Sequence, residues 1–285
     1  MMNKYDCIVI GAGPAGMSAC IYLQRSKLKV LLIEKNVPGG RMLQASEISN
    51  YAGMNDSGIN IADKMFSMLD LSVIDFVIEK VTKVEKDEFI KVTTNLNEYV
   101  CDKLIVATGF VNKLIPNSFE EKFVGSGISY CALCDAPLVK NKTILAYANS
   151  LKSISEIEYL STLADKVYLL TNKEIEGNDK LVVLKNAKIK EFIGNFKLEQ
   201  VLIEKDGIEE KINVSMAFIY NGYIPGTDFL KELNITNSYG MIEVNENYET
   251  KIKNIYAIGD VNNKAVKQVA TAVGDGAFVG SIILK

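Results

Sequence analysis

The chain has 285 residues, 48% hydrophobic and 24% charged, enough for one large globular body or two domains with cores of their own. A formal net charge of -3 and a pI of about 5.4 exclude the basic field on which nucleic-acid binding relies. Histidine is absent, which removes Ser/His and Cys/His catalysis and every metal site that needs an imidazole.

The chain enters an apolar strand, Tyr5-Asp6-Cys7-Ile8-Val9-Ile10, almost at once, leaving no room for a cleavable secretory segment. No apolar run approaches membrane-spanning length, so a soluble cytoplasmic protein with no membrane partner is expected. A strand at Cys7 to Ile10, a Gly-rich turn, a helix at Ala15 to Ser26 and a strand at Lys29 to Glu34 form a βαβ unit and imply a parallel sheet. Further strands are predicted at Asp75 to Lys80, Glu88 to Thr93 and Leu104 to Ala107. A second α/β unit follows, with a strand at Thr143 to Tyr147, a helix at Ser153 to Leu163 and a strand at Lys166 to Leu170. Short alternating segments lead to Met216 to Asn221, then to Ile255 to Ile258 and a last helix beginning near Gln268.

Gly11-Ala12-Gly13-Pro14-Ala15-Gly16 fits G-x-G-x-x-G directly after a strand, and Glu34 closes the next strand roughly 20 residues on, where a ribose-binding acid is expected. Gly11 permits the turn, Gly13 lets backbone approach a pyrophosphate, and Gly16 lets the helix pack on the strand. The motif alone does not separate FAD from NAD. The strand-ending Ala107-Thr108-Gly109 and Ala257-Ile258-Gly259-Asp260 favour FAD, since an Asp at the carboxyl end of a parallel strand can hydrogen-bond a ribityl hydroxyl.

These motifs, with Pro38-Gly39-Gly40, Glu47-Ile48-Ser49-Asn50-Tyr51, Cys131-Ala132-Leu133-Cys134-Asp135 and Lys267 to Gly276, stand in an order that resembles low-molecular-weight thioredoxin reductase over nearly the whole chain. The resemblance implies an α/β protein with two Rossmann-like, three-layer domains: a discontinuous FAD domain from residues 1–112 and 237–285, and an inserted central domain at 113–236. It implies a homodimer that reduces thioredoxin, with Cys134 against the flavin, Cys131 attacking the partner disulfide and Asp135 as the acid. The cofactor-binding residues expected on these motifs are Gly11, Gly13, Pro14, Ala15, Gly16, Glu34, Gly40, Arg41, Asn50, Thr108, Gly109, Asp260, Lys267, Gln268 and Val269.

A C-x-x-C pair can store two electrons as a dithiol and pass them on through a mixed disulfide. A zinc half-site is the rival for this spacing, but no second pair and no histidine exist to complete four ligands, so no metal is expected. Cys7, Cys20 and Cys101 fall in or beside apolar elements and are expected in the core.

In one respect the chain departs from ordinary members of that family, whose central domain carries a second glycine-rich turn for NADPH and a His-Arg-Arg cluster for its 2′-phosphate. Here the glycine positions align with Ala148, Asn149 and Ser150, followed by Leu151 and Lys152, and Thr171, Asn172 and Lys173 replace the cluster. Side chains in the turn would hold a pyrophosphate off the helix, and Thr-Asn-Lys lacks a paired guanidinium grip. The chain is therefore identified with the ferredoxin-dependent flavin thioredoxin reductases, with Arg41, Lys264 and Lys267 as candidates for a basic docking patch. The alternatives are an NAD(P)H-dependent reductase with an atypical nucleotide site and a flavoprotein redox sensor or electron-transfer module without turnover.

Overall fold

A computed structural model describes residues 3–45 and 47–284. The chain divides into two compact units, the first made of residues up to Val111 and from Ile224 onward, the second of Asn112–Tyr223.

The first unit begins with β1 (Asn3–Ile10), α1 (Pro14–Leu23) and β2 (Val30–Glu34), followed by α2 (Gly58–Ser67), β3 (Ile74–Ile78), β4 (Val81–Lys86), β5 (Ile90–Thr94) and β6 (Glu98–Val106). In the second unit come β7 (Ile128–Ser129), α3 (Ala132–Asp135), β8 (Thr143–Ala148), α4 (Leu151–Leu163), β9 (Lys166–Leu170), β10 (Leu181–Leu184), β11 (Ala187–Ile193), β12 (Gln200–Lys205), β13 (Ile208–Asn213) and β14 (Met216–Tyr220). On its return to the first unit the chain adds β15 (Ile255–Ala257) and α5 (Val269–Ile282).

Among the described residues seven strands form the first sheet, with β3-β2-β1-β6 parallel, β15 parallel to the end of β6, and β5 and β4 continuing antiparallel from its start. Both faces of this sheet are covered, which is why its strands read as unbroken apolar runs. Cys7, Val9, Leu32 and Ile105 pack on one side with Met17, Cys20, Ile61 and Val279 of the helices. On the opposite side Ile8, Ile10, Leu31, Leu104 and Val106 pack with Leu230, Leu233 and Ile235. Those last three residues place the stretch from Ile224 with the first unit, ahead of the residue 237 at which the resemblance implies the return. The segment is irregular, with a 3-10 turn at Asp228–Leu233, yet its apolar side chains complete the first core.

The second unit repeats the plan with a parallel sheet ordered β7-β14-β8-β9-β10. Ile154, Ile157 and Leu160 of α4 cover one side of it, against Ile144 and Ala146. The antiparallel trio β11-β12-β13 covers the other with Ile189, Phe192, Val201 and Ile203 against Leu145 and Ala217. Two three-layer, Rossmann-like α/β units result, one discontinuous and one inserted.

The far end of the chain is fixed to its beginning by close helix packing of α5 on α1. A Cβ on Gly276 would lie 2.2 Å from the Ala15 carbonyl oxygen, and one on Gly280 2.8 Å from Tyr22 Cβ. The Ser18 hydroxyl donates to the Val273 carbonyl at 2.8 Å. Gly276→Val is therefore expected to part the helices at a cost of about 1–3 kcal/mol, measurable as a lowered denaturant midpoint with unchanged slope.

Candidate functional site

In the first unit, the turn after β1 is built around three glycines. Gly11 has φ +105° and donates its N–H to the Ile33 carbonyl at 2.8 Å. A Cβ on Gly16 would lie 1.9 Å from the Gly11 carbonyl oxygen, so the start of α1 can close on the turn only with glycine there. Gly13 is the N-cap of α1 with no side-chain cap, and space is open where its Cβ would be. Pro14 occupies the first helical turn, where its missing N–H costs nothing. The first N–H groups of the helix therefore face an uncapped, side-chain-free end, the arrangement that holds phosphate.

Glu34, at the end of β2, is buried and accepts the N–H of Ala12 at 2.8 Å and that of Asn36 at 3.0 Å, one on each carboxylate oxygen. Each oxygen keeps a lone pair for a ribose hydroxyl. Gly39 donates to the Ala12 carbonyl at 2.8 Å, and a Cβ on Gly40 would come 3.5 Å from Gly13 Cα, so this segment adjoins the cradle.

Asp260 follows β15 in the turn Gly259–Val261, with Arg41 Nη1 4.0 Å from its Oδ2. Burial pushes the Asp260 carboxyl above the usual carboxylate range, against the opposing pull of Arg41 and Lys267. Gly109 abuts it, since a Cβ there would be 4.0 Å from Asp260 Cβ. Asn50 donates to the Gln268 side-chain oxygen at 3.0 Å, and Gln268 caps α5, which starts at Val269. Lys267 donates to the Asn262 carbonyl, and burial lowers its pKa. The Thr108 hydroxyl donates to the Gly226 carbonyl at 2.7 Å and so ties the end of β6 to the returning chain. The uncapped start of α1, the buried Glu34 carboxylate and Asp260 at a strand's carboxyl end have the donor and acceptor chemistry that FAD requires.

The cations expected as a docking patch are engaged with neighbours. Lys264 Nζ lies 3.1 Å from Asp275 Oδ1 and donates to the Tyr248 hydroxyl, while Arg41 and Lys267 have the partners given above. Their positive charge is locally offset.

In the second unit Cys131 and Cys134 are joined as a disulfide, with Cα atoms 5.4 Å apart at the start and in the body of the short helix α3. Cys131 is half-buried and Cys134 exposed. Cys134 N–H donates to Cys131 Sγ at 3.2 Å, a contact that favours charge on that sulfur once the bond opens. Asp135 is half-buried and its N–H reaches the Cys131 carbonyl at 3.3 Å.

Three residues that motif spacing gives no reason to select hold this turn in place. Ser129 Oγ accepts Cys131 N–H at 3.1 Å. Tyr220 accepts Ala132 N–H at 3.1 Å and donates to Glu156 at 2.9 Å. Burial, and then the carboxylate of Glu156, push the Tyr220 phenol far up, so it stays a neutral donor. Cys7, Cys20 and Cys101 are fully buried, and burial pushes their thiols up too, so they are core residues as expected.

At the carboxyl edge of the second sheet the turn after β8 closes on itself. Ser150 caps α4 by accepting Ser153 N–H at 3.1 Å. Asn149 Oδ1 accepts Asn172 N–H at 2.9 Å, bridging the two turns. The Lys152 side chain lies outside the described residues. A cavity of about 730 Å³ remains there, lined in part by Tyr147, Asn149, Thr171, Asn172, Lys188 and Asn221.

A profile described as pyridine nucleotide-disulphide oxidoreductase matches residues 5–276. The thioredoxin reductase of Listeria monocytogenes is 33% identical, over 97% of this chain and 92% of its own length. A solved thioredoxin reductase from Lactococcus lactis in the FR conformation superposes with a TM-score of 0.71 and 31% identity, covering 98% of both chains. A ferredoxin-flavin thioredoxin reductase from Clostridium acetobutylicum gives 0.57 and 27%, covering all of this chain and 98% of its own. The chain therefore belongs to the pyridine nucleotide-disulphide oxidoreductases, among the FAD-dependent thioredoxin reductases.

Proposed function

We propose that this thioredoxin reductase draws its electrons from reduced ferredoxin and not from NADPH. The observation that carries this reading is the turn after β8, where Ser150 caps the helix that a pyrophosphate would need and the Asn149 amide is bound to the loop bearing Thr171 and Asn172. No paired guanidinium stands where a 2′-phosphate would sit, since Thr171-Asn172-Lys173 occupies that stretch. The likeness to the ferredoxin-flavin thioredoxin reductase of Clostridium acetobutylicum supports the same reading.

When bound, FAD can accept electrons one at a time and release them as a pair to a disulfide. Gly13 and the first turn of α1 hold its pyrophosphate, Glu34 its ribose, and Asp260 a ribityl hydroxyl. Asn50, Gln268 and Val269 complete the surface. The roles that the resemblance implies make Cys134 the sulfur that takes electrons from the flavin and Cys131 the nucleophile toward thioredoxin. Two electrons and two protons convert the Cys131–Cys134 disulfide to a dithiol. Cys131 passes its proton to Asp135 and attacks the thioredoxin disulfide as the thiolate, forming a mixed disulfide and releasing one thioredoxin thiolate, which takes that proton back from Asp135, while the Cys134 proton goes to the second thioredoxin sulfur in the step that follows. Cys134 thiolate displaces the second thioredoxin sulfur and re-forms the starting disulfide. The overall exchange consumes two reduced ferredoxins and two protons per thioredoxin reduced. The working form is a cytoplasmic homodimer.

An anaerobic titration of the FAD-loaded protein tests the donor. Reduced ferredoxin is expected to bleach the flavin and support thioredoxin reduction, while NADPH and NADH leave the spectrum unchanged. Rapid bleaching by NADPH would establish the second reading, an NAD(P)H-linked enzyme. The cavity of about 730 Å³ beside Lys188 and the likeness to the Listeria monocytogenes and Lactococcus lactis thioredoxin reductases favour that alternative.

A further inference from the structure

Asp275 is the only charged residue of α5 (Val269–Ile282), an otherwise apolar and small-residue helix, and its side chain is 7% exposed. A buried carboxylate persists only where donors satisfy it. Asp275 has four. Its Oδ2 accepts Gly259 N–H at 3.1 Å and Asn262 Nδ2 at 3.4 Å. Its Oδ1 accepts the Tyr248 hydroxyl and, at 3.1 Å, Lys264 Nζ. Gly259, with φ +70°, is wedged against α1, since a Cβ on it would come 2.9 Å from Ala15 Cβ. The next residue is Asp260.

We propose that Asp275 is a positioning residue for the cofactor: by holding Gly259 N–H from α5, it fixes the turn that aims Asp260 at FAD before FAD arrives. All four partners are donors, so the ring requires a group that only accepts. Asparagine, identical in shape, has one oxygen to offer: the charged Lys264 ammonium, which can only donate, takes it, and the NH2 is left facing Gly259 N–H, which loses its acceptor. The Tyr248–Lys264 side closes the ring without touching the turn, so its removal leaves the Gly259 bond intact.

This inference rests on the assignment of Asp260 to FAD, and the experiment separates the two. FAD affinity and the midpoint potential of the bound flavin are measured for the full chain, for Asp275→Asn and for Tyr248→Phe, with far-UV circular dichroism as the folding control. Asp275→Asn is expected to keep its secondary structure, bind FAD about tenfold or more weakly and shift the flavin potential, whereas Tyr248→Phe stays within about twofold of the parent affinity. A folded Asp275→Asn with parent affinity and potential overturns the proposal. So does Asp275→Asn that loses affinity in step with Tyr248→Phe. If Asp260→Ala also leaves affinity unchanged, the assignment of that residue fails with it. Should Asp275→Asn not fold, amide exchange in the parent apoprotein decides: slow exchange at Gly259 without FAD supports a pre-set turn, and exchange at the unstructured rate rejects it.

Discussion

Replacing Cys134 with serine is expected to leave a folded, yellow protein that no longer reduces thioredoxin. The loop closed by the Cys131–Cys134 bond spans a separation of three residues, so its entropic contribution to stability is only about 2 kcal/mol. A disulfide of that kind is a poor staple. Its placement, with one sulfur exposed and the other accepting Cys134 N–H, suits exchange. Secondary structure and flavin content should therefore survive the substitution, with turnover at background. The measurement is an anaerobic single-turnover assay with oxidised thioredoxin, alongside the FAD-to-protein absorbance ratio. Activity near the parent level would remove the pair from the mechanism, and loss of FAD would mean that the pair is structural.

Gly16→Val should have the opposite signature, a colourless protein whose disulfide still forms. The added Cβ would fall 1.9 Å from the Gly11 carbonyl oxygen, a backbone atom that cannot swing away as a side chain can. Either α1 retreats from the turn or Gly11 leaves its φ of +105°, and both displace the uncapped helix end from the position where it holds phosphate. Overpacking at such a contact costs about 1–3 kcal/mol, so the unit should still fold with a lowered melting temperature. Retention of stoichiometric FAD would show that the pyrophosphate is held elsewhere.

Much of the architecture was legible because parallel strands buried on both faces leave continuous apolar runs. The segments at Cys7 to Ile10 and Thr143 to Tyr147 are strands in the structure, and that at Ile255 to Ile258 is a strand up to Ala257. The Gly11 to Gly16 turn was legible for a different reason, since its glycines answer to steric limits that hold in any chain. Less readable was the segment 224–236, whose burial depends on Leu230, Leu233 and Ile235 joining the core to which the distant strand β4 contributes Val81 and Val84. The helix Gly58–Ser67 escaped notice because its buried positions, Ile61, Ala62 and Met65, are few and its flanks polar. Arg41 and Lys264 are singled out in the sequence by their nearness to the flavin motifs, whereas their pairing with Asp260 and Asp275 is set by the fold. Tyr220, Glu156 and Ser129 support the cysteine turn from positions with no shared motif; only a three-dimensional neighbour list reveals them.

The packing of α5 on α1 also has a consequence for synthesis on the ribosome. The hydrogen bond from Ser18 to Val273 spans 255 residues, so the first sheet cannot gain its last helix until nearly the whole chain has been made. The inserted unit, by contrast, draws all its strands from one uninterrupted stretch and is free to fold while translation continues. During that interval the nascent amino-terminal half presents the apolar α1 face that α5 will later cover, with Ala15, Ala19 and Tyr22 exposed to chaperones and to neighbouring chains. Truncations that stop short of Val269 should thus yield a well-formed central unit tethered to an aggregation-prone first half.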